Sequence, residues 1–308
     1  MLRSVSMVDV TALICTRNRP THIGAAVRAL LTDQNDGMEL IVLDQSPNSD
    51  TEQAMKPWTG DTRVMYRRTQ TSGKGSALNE GLRLARGKIV ALTDDDCIAP
   101  PGWVRSMAHL FEERPRVAIV FCNVRAVPHD PRAGYVPSYE RRDSRLITSL
   151  WGLRDGLGLG AGMAIRRDVA LSLGGFDESF GPGARFPSAD EWDMAIRALV
   201  FGWHIYETPD LSVVHDGFRS HLDGREHVLR DWIALGAVSA KPLRGGHVRA
   251  AVMPLYFYPA KALWPVCLDL LQGRRPRGLL RIKGFLRGFA EGMGTPLDRE
   301  LLKFRPPS

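Results

Sequence analysis

Cysteine is scarce in this chain. Of its 308 residues only Cys15, Cys97, Cys122 and Cys267 are cysteines, with no CxxC pair and no metal-finger spacing. That excludes a disulfide scaffold and a zinc module and points to a reducing compartment. An apolar leader is missing too. Met1-Leu2-Arg3-Ser4-Val5-Ser6 has no hydrophobic centre and the run Val10–Cys15 is too short to be one, so the expected location is cytoplasmic. No long hydrophobic run is uninterrupted: the richest, 250–271, contains Pro254, Pro259, Lys261, Pro265 and Asp269, which argues against a spanning helix. The common nucleotide loops are also absent. A GxxxxGK pattern ending at Gly73-Lys74 would need glycine where Arg68 stands, and Gly158 and Gly160 open no GxGxxG because Met163 and Ile165 occupy the closing positions. A P-loop kinase and a nicotinamide-dependent enzyme both lose support.

What is present is an ordinary folded composition, 44% hydrophobic and 24% charged with 30 Gly and 20 Pro, in a chain long enough to bury a core without metal or disulfide. Its net charge of +7 is unevenly placed. Residues 241–308 carry 13 Lys and Arg against 4 Asp and Glu, a net of +9, and residues 1–240 a net of −2. The body is therefore no nucleic-acid binder, and the tail is suited to an anionic partner, a lipid surface first. Two readings of the tail stay open: amphipathic helices lying in a membrane interface, or helices packed on the body with basic outer faces.

Strand and helix patterns alternate through the first half. Val10–Cys15, 40–43, a weaker 63–66 and 89–92 read as strands; the segments following Thr21 and Ser76 read as helices. The runs 40–43 and 89–92 are apolar without alternation, as in strands covered on both faces. The fold class expected is α/β, a doubly wound, Rossmann-like, mostly parallel sheet followed by a helical C-terminal extension. Ligands in such sheets sit beyond the carboxyl ends of the strands, which directs attention to Thr16-Arg17, Asp44 and Asp94-Asp95-Asp96.

Three adjacent carboxylates at a strand end repel one another unless a cation or sugar hydroxyls compensate. Oxygen ligands of this kind suit Mg²⁺ or Mn²⁺. Asp44 can accept from a base or ribose, or cap its own turn. Gly73-Lys74-Gly75-Ser76 opens a helix whose amino end could hold a phosphate. Ser188 with Glu191 fits a capping box, yet Asp190, Glu191 and Asp193 supply more carboxylates than a cap needs, and one of them is a candidate general base. His215 ends an apolar strand and is a candidate ligand for the same metal or for phosphate.

Six segments in order, residues 10–20 (VTALICTRNRP), 41–46 (IVLDQS), 73–87 (GKGSALNEGLRLARG), 89–103 (IVALTDDDCIAPPGW), 160–178 (GAGMAIRRDVALSLGGFDE) and 189–199 (ADEWDMAIRAL), resemble the motifs of family 2 glycosyltransferases. The resemblance covers roughly residues 8–220. It implies a GT-A fold, a UDP-, dTDP- or GDP-linked sugar donor, Mn²⁺ or Mg²⁺, and inversion at the anomeric carbon. Carried over, Thr16 and Arg17 would border the nucleotide, Asp44 would hold base or ribose, Lys74 would approach the donor and Asp94 would contact ribose or sugar. Asp95 and Asp96 both fit the metal-ligand register, with His215 beside them. Glu191 takes the base position, with Asp190 the alternative, because the family's usual Glu-Asp order is reversed here. Gln45 stands where many members carry a second acid.

The domain organisation expected is a glycosyltransferase unit over 1–224, with a nucleotide-sugar half near 8–123 and an acceptor half near 124–224, then a basic amphipathic helical tail over 225–308. The tail segment 232–241 is similar to that of bacterial, rhamnosyltransferase-like members that build cell-surface glycans. The implied acceptor is a glycan or a lipid-linked glycan, reached by peripheral contact with the inner face of the cell membrane. Two rival readings are a sugar-nucleotidyltransferase, disfavoured because no glycine-rich loop follows the first strand, and a degenerate sugar-nucleotide-binding scaffold, disfavoured because the carboxylates are all present.

Overall fold

The computed structural model describes residues 9–32, 37–274, 276 and 278–305. Strand and helix alternate as the apolar periodicity requires. In chain order come β1 (Val10–Thr16), α1 (Pro20–Leu30), β2 (Met38–Asp44), α2 (Asp50–Met55), β3 (Val64–Arg68), α3 (Lys74–Leu84), β4 (Ile89–Asp94), β5 (Cys97–Ile98) and α4 (Trp103–His109). The second half supplies β6 (Val117–Ala126), β7 (Gly134–Tyr135), β8 (Arg145–Ile147), β9 (Met163–Arg166), α5 (Arg167–Ser172), α6 (Asp190–Val200) and β10 (His204–His215). A short β11 (Arg219–Ser220) then leads into the helices α7 (His221–Arg244), α8 (Tyr258–Leu271) and α9 (Leu279–Gly294) and the small hairpin β12 (Leu297–Asp298) and β13 (Lys303–Phe304).

The main sheet runs β3-β2-β1-β4-β9-β6-β10-β5, with β8 also paired to β10. The first four strands in that order are parallel; β9 is antiparallel to both β4 and β6. The sheet is thus mixed but mostly parallel, and it is covered on both faces. Along β1, Leu13 enters a core with Leu78 and Leu82 of α3, while Ala12 and Ile14 enter a second core with Ile23 and Val27 of α1 and Trp103 of α4. Alternate side chains of one strand feed opposite cores, so neither face can tolerate polar alternation.

Glu207, buried on β10, fixes the irregular segment between β7 and β9. Its carboxylate accepts from the Arg145 guanidinium (2.6 Å), from the Tyr139 hydroxyl (3.1 Å) and from the Gly158 N–H (2.9 Å). A buried charge needs this saturation to be tolerated.

The reading of helices packed on the body holds for two of the three tail helices. α7 and α9 pack on the body: Lys241 of α7 is fully buried and donates to Asp177 (2.5 Å) and to Asp193, which also accepts from Arg197 at 2.8 Å. Gly288 lets α9 touch α7, since a Cβ there would lie 1.8 Å from the Ile233 carbonyl oxygen. α8, by contrast, is largely exposed. No described helix is long and apolar enough to cross a membrane.

Candidate active site

Parallel register assembles the acidic edge. Thr16 pairs with Asp44 and Cys15 with Asp94, so the ends of β1, β2 and β4 present these side chains together. Asp44 is fully buried; its Oδ1 accepts from the Ser46 N–H (2.8 Å) and its Oδ2 from the Tyr66 hydroxyl (2.7 Å). It therefore does cap its own turn. Gln45 binds the protein as well, its amide donating to the Thr71 carbonyl (2.9 Å) and the Gly73 carbonyl (3.0 Å), which holds the loop entering α3.

The three carboxylates diverge. Asp94 accepts from Lys74 Nζ at 2.5 Å. Asp95 accepts from the Thr16 hydroxyl at 2.6 Å and from Arg19 at 3.0 Å. Asp96 is also bound by Arg19 and lies 3.4 Å from His215 Nε2. Burial pushes the Asp95 and Asp96 carboxyls up. For Asp95 that effect prevails, while at Asp96 the His215 ring and the Arg19 guanidinium outweigh it and hold the carboxyl well below its usual range. Arg17, the basic residue expected near the nucleotide, is exposed and makes none of these described contacts. Arg19 makes them instead, which its place one turn before the apolar face of α1 did not signal.

Lys74 enters through its side chain, not through its helix end. Its backbone N–H donates to the Pro182 carbonyl at 3.0 Å, and Asn79 binds Phe176 and Glu178, so the segment 176–182 lies over the start of α3. A phosphate at that amino end, expected from the sequence, is displaced by this backbone. Burial lowers the Lys74 ammonium's proton affinity, but the carboxylates of Asp94 and Asp190 more than offset it and hold the side chain charged.

Asp190 and Glu191 face the same place. With Cys15, Lys74, Asp94 and Gly160 they line one crevice, floored by Leu92, Met163 and Phe176. The capping box expected at Ser188 does not form: α6 is preceded by Ala189 in the left-handed region (φ 65°), with no side-chain cap. Glu191 is released from capping and lines the crevice beside Asp190. Burial, then the adjacent Asp190 charge, push its carboxyl well above the ordinary range. Burial likewise pushes the Cys15 thiol up to about 12, leaving it a neutral wall of the crevice.

Beside the crevice, Asp96, Cys97 and His215 place one donor atom each within 4.8 Å of one another. His215 Nδ1 donates to the Pro137 carbonyl at 2.7 Å, which leaves Nε2 as the lone-pair nitrogen of the neutral ring, aimed at Asp96. Two acceptors so placed need a cation or a proton between them. Gly217 keeps the spot open, because a Cβ there would lie 2.4 Å from His215 Nε2 and 3.2 Å from Asp96 Oδ2. The carboxylate suits Mn²⁺ or Mg²⁺, and the imidazole nitrogen favours Mn²⁺, the softer of the two. The Cys97 thiol, raised by burial, does not contribute to a hard cation.

Comparison with known proteins agrees in kind. The family model described as Glycosyl transferase family 2 matches residues 11–174. The glucosyl-dolichyl phosphate glucuronosyltransferase of Haloferax volcanii is 23% identical over 227 residues, 68% of this chain and 67% of that protein. Protein CgeD of Bacillus subtilis is 20% identical over 146 residues, 45% of this chain, and the chain spans only 34% of its length. The solved mannosyltransferase PcManGT from Pyrobaculum calidifontis, in complex with GDP-Man and Mn²⁺, superposes with a TM-score of 0.60 at 20% identity, covering 95% of this chain and 84% of that one. The likeness supports the GT-A fold.

Proposed function

The chain belongs to glycosyl transferase family 2, and we propose that it transfers a sugar from a nucleotide-diphosphate donor to an acceptor hydroxyl with inversion at the anomeric carbon. The observation that carries this is the crevice at the end of β4, where Lys74 bound to Asp94 faces the Asp190–Glu191 pair. A cation that meets a donor and a carboxylate that meets an acceptor line the same space.

The nucleotide lies along Thr16, Arg17 and Asp44, with Asp94 toward the ribose or sugar and Lys74 toward the donor's charge. Asp96 and His215 hold Mn²⁺ or Mg²⁺, with Asp95 turned to Thr16 and Arg19. When bound, that ion supplies charge neutralisation for the diphosphate leaving group. PcManGT, bound to GDP-Man and Mn²⁺, supports this donor chemistry.

Glu191 is the base. Its burial beside Asp190 raises its affinity for a proton, so it takes one from the acceptor hydroxyl as that oxygen attacks the anomeric carbon. One displacement by an oxygen held opposite the leaving group inverts the centre. Asp190 tunes Glu191 by its charge, and fixing the two reactants in line supplies much of the rate.

The acceptor is a glycan, carried on a lipid in the manner that the name of the Haloferax volcanii relative describes, and the setting is cell-surface glycan assembly at the cytoplasmic face of the membrane. The test is thermal stabilisation by UDP-, dTDP-, GDP- and CMP-linked sugars with and without Mn²⁺. Ligand at about 100 times Kd adds about 2.7 kcal/mol to folding stability. A Mn²⁺-dependent shift with one nucleotide, followed by release of that nucleotide on turnover, supports transfer. Stabilisation without any turnover, even to water, overturns it in favour of a sugar-nucleotide-binding scaffold.

A further inference from the structure

Helix α8 is inside out. Its exposed positions recur with helical period at 260, 261, 263, 264, 267, 268, 270 and 271, and all but Lys261 are apolar. Leu271 is 85% and Trp264 64% exposed, whereas Asp269 is buried on the opposite side. A helix of a water-soluble surface carries the reverse pattern, so the solvent this face is built for is not water. The face continues into a groove of about 930 Å³ between α8 and α9, walled by Trp232, Tyr256, Trp264 and Arg281. Leu279 and Leu286 of α9 extend the apolar surface.

Charge identifies the occupant. Lys261, Arg274, Lys283 and Arg287 are exposed on or beside this surface, in a segment with a net charge of +9. A second copy would bring the same positive charge against it, which opposes self-association through this face. Length fixes the mode of contact. Fourteen residues at ~1.5 Å each reach about 21 Å, short of the ~30 Å hydrocarbon layer. Exposed Trp264 and Tyr256 are the side chains that favour the headgroup boundary.

We propose that the outer face of α8, with the α8–α9 groove, seats in the plane of an anionic lipid bilayer, Trp264, Leu270 and Leu271 entering the acyl boundary and the basic residues meeting headgroups. This docking is independent of which donor or acceptor the crevice takes.

Flotation of the full chain with phosphatidylcholine vesicles, with and without phosphatidylglycerol, tests it. Binding is expected on the anionic vesicles, falling with salt. Trp264→Ser with Leu271→Ser should weaken partitioning by more than about ten-fold, the loss of two buried apolar side chains. Lys283→Gln with Arg274→Gln should weaken it by about ten-fold or more, with no change on neutral vesicles. Both pairs are exposed, so thermal unfolding should be unchanged. Any of three results overturns the proposal: no vesicle binding in low salt, anionic binding that ignores the Trp264/Leu271 pair, or a sedimenting dimer that this pair dissolves. Donor-induced thermal shifts, unaffected by either pair, separate its failure from failure of the transferase reading.

Discussion

His215 Nε2 faces Asp96 Oδ1 across 3.4 Å while Nδ1 of the same ring is tied to the Pro137 carbonyl. The tie fixes the tautomer, and the pair is brought together only because β10 and the turn after β4 meet. His215→Ala and Asp96→Ala should each weaken Mn²⁺ binding by at least about ten-fold, read by calorimetry on the donor-free protein. Unchanged affinity would place the cation elsewhere.

Arg19 is the competing charge at that cluster, bridging Asp95 and Asp96. Arg19→Gln should tighten Mn²⁺ binding severalfold, because the ion no longer displaces a guanidinium. Weaker binding would show that Arg19 orders the carboxylates for the ion.

Glu191→Gln should lower kcat by roughly 10²- to 10⁴-fold, the usual worth of a general base, with the donor-induced thermal shift retained. Its pH dependence has a definite sign. Burial and Asp190 disfavour the ionised form, so wild-type activity should rise with pH through a midpoint above the usual carboxylate value of 4.5. Asp190→Asn removes the like charge and should move that midpoint down. Loss of activity in Asp190→Asn with activity retained in Glu191→Gln would make Asp190 the base.

Lys241→Met should destabilise the fold by about 3–5 kcal/mol in denaturant titration, because it leaves the buried Asp177 without a cation and Asp193 with Arg197 alone. Burial raises the Asp177 carboxyl, yet Lys241 and the Phe304 and Ser179 N–H groups outweigh it and lower it below 3.8. A lowered carboxyl stabilises the fold fully above its unfolded value. That contribution should fade only as pH falls below 3.8 toward the folded value.

Gly288→Ala should cost about 1–3 kcal/mol by overpacking, since its Cβ would meet the Ile233 carbonyl at 1.8 Å and α7 must yield. Gly294→Ala, with nothing within 4 Å of its Cβ, is the control on the same helix and should be neutral or stabilising.

Much of this fold was written locally. The apolar runs 40–43 and 89–92 gave strands covered on both faces, and the triple Asp fell at the end of β4, where the parallel register with β1 sets it beside Cys15 and Thr16. Local chemistry misled at two points. Ser188 and Glu191 carry the spacing of a cap, but Ala189 turns left-handed and frees Glu191 for the crevice. Gly73-Lys74 carries the look of an open helix end, but the Pro182 carbonyl takes its N–H.

The sequence by itself determined the order of strands and helices, the two-faced burial and the set of carboxylates, because each depends on periodicity or on neighbours in the chain. Only the tertiary structure decided which carboxylate meets His215, that Arg19 and not Arg17 reaches the cluster, that β9 enters antiparallel between β4 and β6, and that α8 turns its apolar face outward. Those outcomes join residues from distant parts of the chain. Their energies lie in pairing and burial that no local pattern of side chains records.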